Sequence, residues 1–311
     1  MNLLEIGSLT EQQARAQLEK IRWPDGPMCP FCQSKSVTKL GGEAAKRGVY
    51  KCKTKECRKQ FTVFKGSIFE DSHLTCKMWL MACHLMCSSK KGFSANQMSR
   101  ELGITVKSAW FMVHRIREAM KQAPLANMLG DKNTPVEVDE TYMHTDGPHR
   151  EPKTQFRRKR GRGTDKTCIV ALVERNGRMR AKPIEQVTSE NLKAVINESV
   201  RKEATLFTDE LLAYTKIGKE YAGHETVCHS EKEYARDDVH VNTAEWFFGL
   251  LKRGVHGTFH HISRHHLPRY LDEFSFRWSL RRTDDGERTE EAIRSGVGKR
   301  LQYRESLKKS G

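Results

Sequence analysis

The segment Val-Glu-Val-Asp-Glu-Thr-Tyr, residues 136–142, alternates apolar and polar side chains near the middle of the chain. A period of two predicts a β-strand whose side chains point alternately to its two faces. Glu137 and Asp139 then share one face of the strand, and Glu140 lies on the other. The preceding residues 131–135 are typical of a linker. We therefore predict that a domain spanning residues 131–311 begins with this strand.

The residues that follow predict an α+β domain with a mixed sheet. The β-forming run 167–174 predicts a second strand, and Asn176-Gly177 predicts a hairpin turn into a third strand within 178–187. The next predicted elements are a helix at 189–202, a buried strand at 205–209, and helices at 244–253 and 267–280. The order is three strands, a helix, a strand and then further helices.

Three acidic residues of this domain, Asp139, Asp209 and Glu245, lie at element ends. Phosphoryl transfer from a DNA phosphodiester needs an activated oxygen nucleophile and a neutralised phosphate charge, and two divalent ions supply both. Because Mg²⁺ prefers oxygen ligands and keeps several waters, two or three carboxylates are sufficient to hold it. These acids are therefore candidate metal ligands.

Each of these acids also has a purely structural interpretation. Asp209 can cap the helix that follows it, and Glu245 can complete a capping box with Asn242 as the N-cap. Asp139 can be a solvated strand residue, in which case Glu137 on the same strand face is its substitute as a ligand.

Four of the nine cysteines form two closely spaced pairs in the first part of the chain. Cys29 and Cys32 form the first pair, and Cys52 and Cys57 form the second about twenty residues later. Two such pairs predict a tetrahedral four-cysteine zinc site, which is closed and structural. With strands expected at 48–51 and 61–64 and an early helix at 10–21, residues 1–72 predict a zinc ribbon. The alternative is that these are reduced cysteines of a small core.

Residues 73–130 predict an α-helical DNA-binding region of the helix-turn-helix type. Ser94 is a suitable N-cap for a helix that ends at Gly103, where a left-handed conformation suits glycine. Thr105 can cap a second helix at 106–121, the one that would enter the major groove. The candidate DNA-facing residues of this helix are Lys107, Ser108, His114, Arg115 and Arg117. An ordinary helical hairpin is the alternative.

The charge of the chain indicates a polyanionic partner. There are 55 Lys and Arg residues against 39 Asp and Glu residues, which gives a net charge of +16, and basic surfaces bind nucleic acid through its phosphates. The densest basic run is 153–166, which predicts a DNA-binding arm that contains Arg158, Lys159, Arg160 and Arg162. The sequence shows no apolar run long enough for a membrane span and no signal peptide, so we expect a cytoplasmic protein.

The whole pattern resembles the DDE transposases of bacterial insertion sequences, in the group related to Merlin elements. The resemblance is carried by Val-Asp-Glu-Thr at 138–141, Thr-Asp-Glu at 208–210, Asn-Thr-Ala-Glu at 242–245 and Leu-Leu-Lys-Arg-Gly at 250–254. Thirty-five residues separate Asp209 from Glu245, and Lys252 follows Glu245 by seven positions. Both spacings are typical of this group.

The resemblance implies an RNase H-like catalytic domain in which Asp139, Asp209 and Glu245 bind two Mg²⁺ or Mn²⁺ ions and Lys252 contacts the DNA end. Asn242 is the alternative third ligand. The implied activity is binding of the terminal inverted repeats of the element, metal-dependent cleavage of its ends and strand transfer into target DNA. The implied assembly is a homodimer or a larger complex on DNA at the nucleoid.

Two other classes of protein remain open at this point. A zinc-dependent, sequence-specific DNA-binding regulator without catalysis would bind DNA and never cleave it. An RNase H-like nuclease without transposition would cleave DNA and never join it to a target.

Overall fold

The computed structural model describes residues 1–122, 128–145 and 166–303. The helices are α1 Leu3–Ser8, α2 Glu11–Arg22, α3 Gly42–Lys46, α4 Cys76–Ser88, α5 Ala95–Leu102, α6 Val106–Met120, α7 Ser189–Ser199, α8 Leu212–Gly218, α9 Asn242–Gly254, α10 Leu267–Ser279 and α11 Asp285–Ser295. The strands are β1 Val37–Lys39, β2 Tyr50–Cys52, β3 Gln60–Phe61, β4 Val136–Met143, β5 Thr167–Glu174, β6 Met179–Ile184, β7 Thr205–Asp209 and β8 Gly223–Val227. Within the described ranges, every helix is too short or too polar to cross a bilayer.

The chain divides into two compact units. The first contains residues 1–121 together with the chain from Arg282 onward, and the second contains residues 122–281. After α1 and α2, the first unit contains a three-stranded antiparallel sheet in the order β1-β2-β3. Trp23, Tyr50 and Phe61 pack together beside this sheet with ring centroids 5.5–6.0 Å apart. The sheet and the four predicted zinc ligands confirm the zinc ribbon, although the last strand ends at Phe61 rather than Phe64.

The caps of α5 and α6 follow the sequence-based prediction closely. The Ser94 hydroxyl accepts a hydrogen bond from the Gln97 amide at 3.2 Å, and the Thr105 hydroxyl accepts one from the Ser108 amide at 3.2 Å. Gly103 ends α5 with φ of 64°, a left-handed conformation that costs glycine little. Local sequence signals therefore determine this helix-turn-helix layout.

The first unit also contains elements that the sequence-based boundaries placed elsewhere. Glu11 of α2 accepts hydrogen bonds from the amide of Cys76, the first residue of α4, at 2.8 Å, so the predicted boundary after residue 72 divides one compact unit. In α11, Arg288 is buried and donates to the Cys87 carbonyl at 2.9 Å, and Thr289 and His84 are hydrogen-bonded at 3.3 Å. The assignment of the C-terminal helix to the domain 131–311 is therefore corrected.

The second unit is built on a five-stranded mixed sheet in the order β6-β5-β4-β7-β8. The β4–β5 and β5–β6 pairs are antiparallel, whereas β4–β7 and β7–β8 are parallel. One face of the sheet packs against α7 and α8, and the other packs against α9 and α10. This order and these strand directions are those of the RNase H-like fold, which confirms the predicted fold class.

Candidate active site and metal centre

Asp139 and Asp209 lie on neighbouring parallel strands. Val136 of β4 pairs with Leu206 of β7, and the next residue of each strand continues the same register. Asp139 and Asp209 are each three residues further along, so this register places them side by side. Asp209 is the last residue of β7, and the chain continues from it into the short loop before α8.

The surroundings of Asp139 disfavour its charged form. It is partly buried, and its Oδ1 accepts a hydrogen bond from the Glu140 amide at 2.7 Å. Burial, together with the negative charges of Glu140, Asp209 and Glu245, raises the pKa of Asp139 to about 8. The carboxylates of the predicted triad therefore act on one another, and a cation between them would relieve the repulsion.

Glu245 lies on the exposed face of α9. The opposite face of the helix is apolar and buried against the sheet, through Ala244, Phe247, Phe248 and Leu251. Lys252 lies two helical turns after Glu245 on the same side, and Gly249 lies between them. One side of α9 thus carries, in order, the acid Glu245, Gly249, which has no side chain, and the base Lys252.

The beginning of α9 differs from the sequence-based interpretation. Asn242 is the first helical residue and not the N-cap, and the N-cap residue Val241 makes no side-chain capping bond. The helix is capped by Glu137, from the strand that carries Asp139. Its carboxylate accepts hydrogen bonds from the Thr243 amide at 2.8 Å, the Thr243 hydroxyl at 2.7 Å and the Ala244 amide at 3.2 Å.

Glu137 is completely buried, and its hydrogen-bond partners on α9 are not predicted by the sequence. Arg175 Nε lies 3.1 Å and His240 Nδ1 lies 3.5 Å from its Oε1. The alternation of β4 correctly predicts that Glu137 shares a face with Asp139. No local signal indicates that this acid caps a helix more than one hundred positions later.

Asp209 and Glu140 also have defined partners. Asp209 Oδ1 accepts a hydrogen bond from the Leu211 amide at 3.1 Å, but α8 begins only at Leu212 and has no side-chain cap. The structural interpretation of Asp209 as a helix cap is therefore wrong. Glu140 lies on the opposite face of β4, as the alternation predicts. It accepts a hydrogen bond there from the hydroxyl of the buried Tyr214 at 2.7 Å.

The four predicted zinc ligands converge on one point. The Sγ atoms of Cys29, Cys32, Cys52 and Cys57 all lie within 4.8 Å of one another. The Cys29–Cys57 and Cys32–Cys52 Sγ distances are 3.7 Å and 3.6 Å, close to the edge of about 3.8 Å expected for a tetrahedron with Zn–S bonds of about 2.3 Å. A hydrogen bond with the Thr54 side chain lowers the pKa of Cys52 to about 7, whereas burial and hydrogen bonds with the other three cysteines raise the pKa of Cys57 to about 11. A bound zinc ion would favour the thiolate form of all four.

The three carboxylates are arranged more openly than the thiolates. Among the residues that the structure describes, the four cysteines are the only set of three or more potential ligands gathered this tightly. A site for two divalent ions does not require such a cluster, since the ligands surround two ions about 4 Å apart. The oxygen-only donor set fits Mg²⁺ or Mn²⁺.

The structure divides the predicted DNA-facing residues of α6 into two groups. Lys107 is exposed and lies over the Tyr303 ring at 5.0 Å, and Ser108 is partly buried near the helix start. Arg115 is buried, and its guanidinium donates to the carbonyls of Glu70 at 2.6 Å and Leu301 at 3.4 Å. The prediction that Arg115 contacts DNA is therefore wrong.

His114 and Arg117, the other candidates on this helix, are buried as well. Beyond its first turn, α6 is the central helix of the first unit and packs against α4, α5 and α11. Within α6 the residues that are exposed, Val106 and Lys107, lie in the first turn.

The basic arm predicted at 153–166 falls largely outside the described residues, and with it Arg158, Lys159, Arg160 and Arg162. In the sequence this run lies between β4 and β5. The hydroxyls of Thr145 and Thr167 are buried and hydrogen-bonded at 2.5 Å, and Met143 pairs with Thr167 across β4 and β5. Because β4 and β7 are parallel, Met143 at the end of β4 and Asp209 at the end of β7 lie at the same end of the sheet.

Comparisons with known proteins agree with this fold. Residues 128–279 match the ISXO2-like transposase domain, and residues 9–60 match the transposase zinc-ribbon domain. The mixed sheet with its acidic residues is thus a transposase domain, and the predicted transposase class is confirmed. Both matching models describe domains of IS1595 transposases.

A relative in Halobacterium salinarum, described as an uncharacterized protein in transposable element ISH50, is 29% identical over 278 residues. The match covers 86% of this chain and 91% of the relative. The relation to Merlin elements and the bacterial origin stay predictions.

Two solved structures of the Mos1 transposase have a distant likeness to the chain. A pre-cleavage transpososome is 13% identical with a TM-score of 0.25 and covers 66% of this chain and 74% of its own. A strand transfer complex is 15% identical with a TM-score of 0.27 and covers 67% and 75%. At these scores the likeness defines no shared geometry.

Proposed function

We propose that this protein binds the terminal inverted repeats of its insertion sequence, cleaves the DNA at the element ends and transfers the freed strands into target DNA. The proposal is carried by the position of Asp139 beside Asp209, with Glu245 close enough to raise the pKa of Asp139. This arrangement lies within an ISXO2-like transposase domain.

In this mechanism Asp139, Asp209 and Glu245 hold two Mg²⁺ or Mn²⁺ ions. When bound, the ions activate the attacking water or 3′-hydroxyl and neutralise charge on the scissile phosphate. Asp139 must lose its proton to serve as a ligand, because only the carboxylate binds a metal ion strongly. Lys252 places a positive charge near the phosphates of the DNA end, two turns from Glu245 along α9.

The remaining DNA contacts come from other parts of the chain. The zinc ribbon and the exposed first turn of α6, with Lys107 and Ser108, recognise the repeat. The basic run at 153–166 holds flanking or target DNA, and its positive charge offsets the repulsion between phosphate and the carboxylates. Two ends must be processed together, so the protein acts as a homodimer or a larger assembly at the nucleoid.

Cleavage of a labelled terminal repeat in Mg²⁺ tests the proposal. We expect Asp209→Asn and Glu245→Gln to bind the repeat normally and to lose cleavage by a factor of about 100 or more, because a metal ligand contributes several kcal/mol to the transition state. Glu203→Gln, an exposed acid in a turn, is the matched control and should cleave normally. Cleavage at the wild-type level by the two variants would overturn the triad.

The products distinguish the two alternative classes. Binding of the repeat without cleavage in any divalent metal would identify a DNA-binding regulator. Cleavage without joining to a supercoiled target plasmid would identify a nuclease. Joined products are expected for the transposase.

A further inference from the structure

We infer that Glu137 is a positioning residue for the metal site, because it joins the strand that carries Asp139 to the helix that carries Glu245. The inference rests on the proposed function of these two acids and assigns a role to a third one that does not bind the metal.

The contacts of Glu137 explain how one side chain can connect two ligands. Asp139 is two residues from Glu137 on the same face of β4, a separation of about 6.6 Å along a strand. Glu245 directly follows Ala244, whose amide donates to Glu137 Oε2 at 3.2 Å. Asp139 is therefore close to the Glu137 carboxylate along β4, and Glu245 is next to a residue of α9 that is hydrogen-bonded to the same carboxylate.

The helix has no local substitute for this cap. The first amides of an α-helix need acceptors from outside the helix, and a carboxylate there is also stabilised by the helix dipole. Val241 provides no side-chain acceptor, so Glu137 satisfies the Thr243 and Ala244 amides. A local cap would stabilise α9 equally well, but it would not connect the helix to β4.

The burial of Glu137 makes this connection specific. A buried carboxylate is costly unless it is paired and fully hydrogen-bonded. Here Arg175 provides a counter-charge at 3.1 Å, and the Thr243 hydroxyl donates at 2.7 Å. Moving α9 relative to β4 would take the Thr243 and Ala244 donors away from this buried carboxylate, so these bonds hold the position of Glu245 relative to Asp139.

Metal binding in the absence of DNA provides the direct test. Mn²⁺ titration of the full-length, zinc-loaded protein measures the site without requiring cleavage, and the part of the signal that Asp139→Ala removes reports on this site. We expect Glu137→Gln and Thr243→Val to weaken this binding by about tenfold, as supporting residues of metal ligands typically do. Thr243→Ser, which keeps the hydroxyl, should bind Mn²⁺ as tightly as the wild type.

Tyr221→Phe is the matched control, because it removes the hydrogen bond from the hydroxyl of the buried Tyr221 to Asn197 Oδ1 at 2.9 Å, which involves none of the three acids. It should lower the melting temperature and leave Mn²⁺ binding unchanged. If Glu137→Gln fails to fold, the Thr243→Val and Thr243→Ser pair decides the question. Unchanged Mn²⁺ binding in folded Glu137→Gln or in Thr243→Val would overturn the inference.

The same titration separates this inference from the proposed function. Tenfold weaker binding in the variants, with a wild-type protein that never cleaves the repeat, would overturn the function and support the positioning role. Wild-type cleavage with unchanged Mn²⁺ binding in the variants would overturn the positioning role alone. A wild-type protein without an Asp139-dependent Mn²⁺ site would overturn both.

Discussion

Asp139 and Asp209 occupy matched positions on two adjacent parallel strands, β4 and β7. The chain reaches the second strand only after a hairpin and a helix, yet the register that starts at Val136 and Leu206 brings the two acids together. Their mutual repulsion, added to burial, is one reason that the pKa of Asp139 rises to about 8.

This raised pKa predicts how the stability of the magnesium-free protein changes with pH. An unfolded chain ionises Asp139 near a pKa of about 3.9, whereas the folded chain retains the proton up to about pH 8. Between these values the folded state binds more protons, so the free energy of unfolding falls as pH rises. The stabilising contribution is fully present below about pH 4 and is lost as pH rises through 8.

Asp139→Asn removes this titration. We therefore expect its melting temperature in magnesium-free buffer to exceed that of the wild type at pH 8 and to change less between pH 5 and pH 8. Calorimetry or circular dichroism across this range measures the effect. Parallel curves for the two proteins would contradict the prediction.

The choice between Glu245 and Asn242 as the third ligand can be made by substitution. Asn242 is exposed in the first turn of α9, one turn before Glu245. Because a carboxylate binds Mg²⁺ more strongly than an amide does, Glu245→Gln should lower cleavage by about 100-fold or more, and Asn242→Ala by less than about tenfold. The opposite order, with repeat binding intact in both variants, would transfer the role to Asn242.

Gly249 provides a test of where the DNA end lies. A glycine inside a helix costs about 1 kcal/mol relative to alanine, and the nearest atom to an added Cβ would be Arg253 Nη1 at 3.7 Å. The chain itself therefore does not need glycine there, although the position lies between Glu245 and Lys252. We expect Gly249→Ala to raise the melting temperature and to lower DNA cleavage, because its methyl group would obstruct the bound strand.

Gly7 of α1 is the control for this experiment. It is helical and exposed, and nothing lies within 4 Å of an added Cβ. Gly7→Ala should not lower cleavage. Full cleavage by Gly249→Ala at limiting protein would show that the DNA strand does not pass over this residue.

Removal of zinc should unfold the ribbon selectively. Its small sheet depends on four thiolates and on the packing of Trp23 with Tyr50 and Phe61, so the metal provides much of its folding free energy. We expect one zinc ion per chain, and we expect loss of zinc and of repeat binding in Cys52→Ser. Cys228→Ser, a cysteine outside the cluster, should keep its zinc; an equal loss from this control would refute the assignment.

The two groups of α6 residues predict two different phenotypes. Lys107→Ala should leave stability unchanged, weaken repeat binding and lower the slope of log affinity against log salt by about 1 if Lys107 contacts a phosphate. Arg115→Ala should instead destabilise the protein by about 2 kcal/mol or more, because it leaves the buried Glu70 and Leu301 carbonyls without a donor. Thermal melts and salt-dependent binding separate the two. If Arg115→Ala leaves stability unchanged and lowers the slope of log affinity against log salt by about 1, then Arg115 contacts DNA and the structural role given to it here is wrong.

Much of this molecule follows from local sequence. The run 167–174, the run 205–209 and the caps at Ser94, Gly103 and Thr105 predict the observed elements because hydrogen bonds and side-chain periodicity over a few residues determine them. The four zinc ligands follow in the same way, since two short cysteine pairs are enough to surround one ion.

Other features depend on the tertiary structure alone. The charge of Arg115 suggests a surface residue, yet it is buried and donates to the carbonyls of Glu70 and Leu301, and the periodicity of one helix cannot show which distant segments pack against it. The same holds for α11, which packs with helices far away in sequence. Glu137 is the clearest case: the sequence by itself determined its strand face, but only the fold decided its partners, because a carboxylate on β4 meets the amides of α9 through long-range packing.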